Sequence, residues 1–191
     1  TETKALTKEP FGWVTQVTFD KKNNILIFGY HKSGELAEIQ KFDLNNNEST
    51  TITTLKSPSL IQVASVAYDE SYKQIFYTTN NNQLYRDVWM YDLNTSKEKL
   101  LFHDMRVGTL TVSQTTHELL GIQHQSGKAI LVKSKYPFTE LQSLSVFKVG
   151  DEFQDLAINS KGNLLAATMH FSDGKQSIII SDITDLEKGK S

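Results

Sequence analysis

Four times along this chain of 191 residues the same pattern returns. Val17, Val66, Leu110 and Leu156 each stand 26 residues before Asp43, Asp92, Tyr136 and Asp182. Repetition at a period of roughly 40–50 residues means one supersecondary unit stacked several times, and it constrains the fold more than any local propensity does.

Inside each copy the pattern reads as strands. Phe19, Tyr68, Val112 and Ile158 follow the four starting residues at a distance of two, with the small residues Thr18, Ala67, Thr111 and Ala157 between. Large–small–large alternation has period two, that of a strand with one tightly packed face. A polar turn follows, then a second apolar stretch at Ile25–Gly29, Ile75–Thr78, Leu119–Ile122 and Leu164–Thr168. Turn formers (Ser33-Gly34, Asn81-Asn82, Ser126-Gly127, Ser172-Asp-Gly174) lead into a third strand centred on Ile39, Val88, Val132 and Ile178. Asp43-Leu44, Asp92-Leu93 and Asp182-Ile183 close it, with Tyr136-Pro137 as the exception. A fourth strand is predicted at Thr50–Leu55, Lys99–Phe102 and Leu141–Phe147, and no segment shows helical periodicity.

Four antiparallel strands per copy describe a β-propeller blade, so the predicted class is all-β and the chain reads as a single propeller segment over 1–191. Blades fall at approximately 14–55, 63–102, 107–147 and 153–185, with 1–13 supplying an outer strand and lead-in loop. The last copy stops before its fourth strand, and Lys4–Thr7 stands where such a strand would precede the first. Two arrangements follow: Lys4–Thr7 completes the last blade and closes a four-bladed ring, or the chain is a cut through a larger propeller. The second is the expectation, and it predicts bare strand edges, around Gln176–Ser181 in particular, through which two chains could associate as a homo-dimer.

Composition excludes several function classes. A net charge of −2 argues against nucleic acid or an anionic membrane surface as the main partner, since both select clustered Lys and Arg. No apolar run approaches the roughly 20 residues of a membrane span. With no cysteine there is no disulfide, no thiolate metal site and no Cys nucleophile.

The copies resemble the WD-repeat-like propeller repeats of the TolB family. Asn159-Ser-Lys-Gly162 occupies the family's turn, and Trp89-Met-Tyr-Asp-Leu-Asn-Thr95 is similar to its closing segment. No copy keeps the family's Pro-Asp-Gly core, and the third lacks the closing Asp. The resemblance implies a TolB-like propeller in a larger exported bacterial protein, periplasmic or otherwise exported, that binds a protein or peptide. It also leaves open a propeller that gates a peptidase domain outside this chain.

One polar position recurs with the repeat. His31, His124 and His170 each lie 14 residues after the starting residue, and Asn80 holds the place in the second copy. This is the end of the second strand, on the face where propellers usually carry ligands. These four, with the preceding Tyr30, Gln123 and Met169, are the candidate rim. Three imidazoles can hold Zn, Mn or Fe, and TolB-like oligogalacturonate lyases use a His-rich metal site, which keeps a metal-dependent lyase or hydrolase as the alternative. A residue repeated once per blade is more commonly a hydrogen-bonding element of the blade, so no metal and no cofactor is expected. No catalytic residue is assigned. Ser59, Ser126 and Ser172 lack the nucleophile elbow, Asp151-Glu152 reads as a solvated pair, and no nucleotide-binding glycine motif occurs. Trp13, Tyr85, Trp89 and Tyr91 read as inter-blade packing.

Overall fold

The computed structural model describes residues 12–56 and 63–188, so the expected strand at Lys4–Thr7, and Ser59, lie outside the described residues. Each copy folds into one antiparallel sheet whose strands neighbour each other in chain order. Blade 1 contains β1 (Gly12–Asp20), β2 (Ile25–Lys32), β3 (Glu38–Asp43) and β4 (Glu48–Thr54). Blade 2 contains β5 (Val63–Asp69), β6 (Gln74–Asn80), β7 (Arg86–Asp92) and β8 (Lys97–Phe102). Blade 3 contains β9 (Val107–Val112), β10 (Leu119–Gln125), β11 (Lys128–Ser134) and β12 (Gln142–Val146). Blade 4 contains β13 (Glu152–Ile158), β14 (Leu164–His170) and β15 (Gln176–Asp182), followed by the short helix α1 (Ile183–Glu187). The first strands form the inner wall: β5 packs against β1 and β9, and β9 against β13.

The recurring polar residues are side-chain acceptors that hold the turns. Asp20, Asp69, Ser113 and Asn159 end the first strands and take backbone N–H bonds from Asn23, Ser71 and Tyr72, Thr116, and Asn163 and Leu164 respectively. Asp43, Asp92 and Asp182 close the third strands, each accepting at 2.8 Å from the N–H two residues on. At Asp182 the same bond caps α1, a helix the periodicity does not announce; it persists because Ile183 and Leu186 bury their side chains.

Each gap between blades is a hydrophobic core, one residue layer from each facing sheet. Ile27 and Ile39 meet Ile75 and Tyr77 between blades 1 and 2. Phe76 and Val88 meet Leu110 and Leu119 between blades 2 and 3, and Ile122 and Leu131 meet Leu165 and Met169 between blades 3 and 4.

The constant spacing hides a one-residue slip, so the four copies do not superpose without gaps. In blades 1, 2 and 4 the third strand pairs as Gly29↔Ile39, Thr78↔Val88 and Thr168↔Ile178. Blade 3 turns in a tight hairpin at Ser126-Gly127, with Gln125 opposite Lys128, and pairs Ile122↔Leu131. Since strand side chains alternate, the slip sends Leu131 toward blade 4 and turns Val132 back toward blade 2. Tyr136 is therefore displaced from the closing position. There Lys135 makes a 3.0 Å ion pair with Glu118, and the buried Lys133 pairs with Glu187 of α1.

Both ends of the arc present apolar faces. Val66, Leu110 and Leu156 are buried against the preceding blade, whereas Val17 is 48% exposed and Phe19 is exposed beside it. Ile39 and Val88 are fully buried, whereas Ile178 is 70% exposed and Ile180 is exposed two residues on. No helix among the described residues is long and apolar enough to cross a membrane.

Candidate functional site

The rim residues sit at one end of the second strands, as their spacing requires. His31 lies opposite Trp13, His170 opposite Glu152, and the His124 N–H donates to the Arg106 carbonyl at 3.1 Å. Their surroundings differ. His31 is buried with its ring 4.8 Å from Trp13, and neither ring nitrogen has a hydrogen-bond partner, so it is not the hydrogen-bonding element expected. His124 stands near Arg86, whose guanidinium lies over Gly108, where a Cβ would come within 2.5 Å of Nη1. Desolvation first, then the Arg86 charge, hold the His124 imidazole below its ordinary pKa against the opposing pull of Glu152.

Two rim candidates are engaged elsewhere. Met169 packs in the core between blades 3 and 4, because alternate strand residues face opposite sides, and the Gln123 amide donates to the Met105 carbonyl at 2.9 Å. Tyr30 immediately precedes His31 at the end of β2. Asp151 is buried and accepts the Ser172 N–H at 3.0 Å, so of the Asp151-Glu152 pair only Glu152 is solvated as expected. Trp89 and Tyr91 pack between blades 1 and 2 as expected, but Trp13 is largely exposed, and Tyr85 carries the Arg106 guanidinium 4.2 Å above its ring.

Asn80 marks the opening of a cavity of about 230 Å³ between blades 1 and 2. Leu55 and Lys56 wall it from the blade 1 side. Blade 2 contributes one continuous face, on which the cross-strand pairs Tyr77↔Trp89 and Thr79↔Asp87 stand side by side, with Glu98 from β8. The Tyr77 hydroxyl donates to Glu98 Oε1 at 2.8 Å, and the Thr53 hydroxyl donates to the same oxygen at 3.1 Å. Burial, followed by the Glu98 charge, pushes the Tyr77 phenol well above its ordinary pKa and keeps it a donor.

Asp87 is 4% exposed, and three donors converge on its Oδ1: the Asp104 N–H at 2.8 Å, Asn81 Nδ2 at 3.1 Å and His103 Nδ1 at 3.1 Å. Asp87, His103 and Asp104 form the one group among the described residues that brings three possible metal-ligand atoms within 4.8 Å of one another. A second hollow, of about 300 Å³, lies where the inner strands of all four blades converge, with Gln16, Thr111, Gln114 and Asn159 on its wall.

The architecture has counterparts among solved structures. No family model matches the chain, and no curated protein matches it. TolB from Acinetobacter baumannii superposes with a TM-score of 0.74 over 90% of this chain at 13% identity. A propeller in a nidogen/laminin complex gives 0.72 over 92% at 15% identity, and oligogalacturonate lyase in complex with manganese gives 0.69 over 95% at 12% identity. The fold is a TolB-like β-propeller. The chain spans 41% of that TolB, 67% of the nidogen-complex chain and 54% of the lyase.

The repeat pointed to the rim but not to the cavity beneath it. Thr79, Asp87, Trp89 and Glu98 share no residue type with their counterparts in the other copies, since the copies share what builds a blade and differ in what lines its gaps. The available signal was local: a carboxylate at the head of a strand, two residues before a Trp that alternation places on the same face.

Proposed function

We propose that this chain is a non-catalytic binding module for a protein or peptide, working within a larger exported bacterial protein by presenting loops on one rim of a rigid propeller. The observation that carries this reading is the rim itself. Its repeat position is polar in all four blades, and beside Asn80 it opens into a cavity with an aromatic wall and buried polar groups. Blades locked by three hydrophobic cores hold such loops in place without an ordering cost on binding. The TolB neighbours support an exported location and a role in protein interaction, as do the absence of cysteine and the acidic balance.

A random peptide library panned against the immobilised chain tests the proposal. Selected peptides should bind the wild type and lose roughly tenfold or more on a variant carrying Asn80→Ala, His124→Ala and His170→Ala, a loss equal to one good contact. They should keep their affinity for Asn46→Ala and Lys97→Ala, which alter turns at the opposite end of the blades. Peptides insensitive to the rim changes would overturn the reading.

A further inference from the structure

The cavity between blades 1 and 2 holds three acceptor groups that the fold leaves unused. Thr79 is 7% exposed and its Oγ1 has no hydrogen-bond partner. A buried hydroxyl without a partner is destabilising, so it calls for a ligand or an ordered water. Asp87, directly opposite on the neighbouring strand, receives three donors on Oδ1 and, among the described residues, none on Oδ2. Glu98 likewise accepts from Tyr77 and Thr53 through Oε1 alone, leaving Oε2. The rings of Trp89 and Tyr77 lie between these polar ends of the cavity.

We infer that this cavity receives a primary ammonium, the end of a lysine side chain on the partner. The inference rests on the protein- or peptide-binding reading above and names the chemistry the partner brings.

An ammonium offers three donors and no acceptor, which suits the Thr79 hydroxyl and the free Asp87 oxygen standing opposite each other, while Glu98 adds attraction from the far end and the methylene stem lies along the Trp89 and Tyr77 rings. Competing ligands fit less well. Anions meet two carboxylates. A guanidinium is best held by a carboxylate with both oxygens free, and here each has one oxygen already committed. A neutral polyol can donate to the same acceptors but brings no positive charge to offset the two carboxylates. Lys56, the cation on the wall, makes no ion pair with either carboxylate among the described residues, so the acceptors are not already neutralised from within.

The test is calorimetric titration of the whole chain with two blocked tripeptides, acetyl-Gly-Lys-Gly-amide and its norleucine counterpart, which differ in the ammonium alone. The lysine peptide should bind more tightly by roughly tenfold or more, the value of one charge-assisted hydrogen bond. Asp87→Asn should abolish that preference. It keeps Oδ1 for the three donors but turns the free oxygen into an N–H₂ that repels the ammonium. Glu98→Gln should weaken the preference and Lys56→Met should strengthen it, with thermal melts confirming that each variant folds. Equal binding of the two peptides, or no saturable binding of either, overturns the inference. So would manganese, zinc or calcium chloride binding in an Asp87-dependent manner and displacing the lysine peptide, which would make the Asp87-His103-Asp104 group a metal site instead. These failures leave the rim reading standing if library peptides still depend on the rim, and loss of rim dependence leaves the tripeptide comparison intact, so the two can be told apart.

Discussion

The same substitution at equivalent points of the repeat should have very different costs, set by whether a neighbouring blade covers the position. Val17 and Val66 hold the same place in blades 1 and 2, yet Val66 is 1% exposed and Val17 is 48% exposed. Val→Ala removes two carbons. At Val66 the transfer loss is about 1.6 kcal/mol, at roughly 0.8 per buried methylene, and the residual cavity raises it to about 2–3 kcal/mol. At Val17 about half the surface already meets water and no cavity forms, which leaves a burial loss of at most ~0.8 kcal/mol. Any loss of strand propensity falls on both, so the difference of roughly 1–2 kcal/mol isolates the missing neighbour. Ile39→Val against Ile178→Val repeats the comparison at the other end of the arc, with about 0.5–1.5 kcal/mol expected at Ile39 and a few tenths at Ile178. Urea unfolding at protein concentrations low enough to keep the chain monomeric reads the difference directly. With a slope near 2 kcal/mol per molar, Val66→Ala should move the midpoint about 0.5–1 M further than Val17→Ala. Equal shifts would refute the reasoning, because they would mean that Val17 is covered in solution. Repeating the melts over a range of protein concentration would then show whether a second copy does the covering.

Other measurements bear on the edges and on charge. The exposed isoleucines of β15 and the exposed apolar residues of β1 should drive self-association, giving a dimer by sedimentation that Ile178→Lys with Ile180→Lys converts to monomer; a wild-type monomer at all concentrations would contradict this. Burial opposes ionisation of Glu118, but hydrogen bonds from Lys135 and Thr116 and the charges of Lys133 and Lys135 outweigh it, so its pKa is lowered. A lowered carboxylate stabilises above its ordinary 4.5 and loses that contribution as pH falls through the folded value. Glu118→Gln should therefore cost about 1–3 kcal/mol at neutral pH, less than the full penalty of orphaning Lys133 because Glu187 remains, and the gap should close in acid. His124 should titrate below 6.5 by NMR, lower still in Glu152→Gln; since its lowered pKa makes protonation costly in the fold, stability should fall as pH drops below 6.5, and His124→Gln should flatten that dependence.

How much of this was legible in the sequence follows from what the repeat encodes. Strand period, turn acceptors and blade number all recur, so Asp20, Asp69, Asp43 and Asp92 announce their roles through position alone. The slip in blade 3 does not, because a shorter hairpin at Ser126-Gly127 and one extra residue before Tyr136 cancel in the count while reversing which side chains face which neighbour. The histidines recur in sequence without recurring in environment. His31 is buried under Trp13, while His124 shares its surroundings with a cation. Spacing fixes the backbone place of a residue, and the adjacent blade decides its surroundings.

That division explains where function can reside in such a fold. Positions that every blade must keep hold turns and cores, and they are satisfied within the protein. Thr79 Oγ1 and the uncommitted oxygens of Asp87 and Glu98 occur where one particular blade faces one particular neighbour. Blade 2 keeps its alternation there, presenting Tyr77 and Trp89 on the face toward blade 1, with Thr79 and Asp87 at the rim end of that face. A gap that only packed two blades together would gain by closing over those positions with hydrocarbon, since buried polar atoms without partners destabilise. A bound donor would recover that cost in the blade 1–blade 2 cavity, where an unpartnered hydroxyl stands with two carboxylates and two aromatic rings, whereas the unpartnered His31 nitrogens lie beneath Trp13 and do not line it.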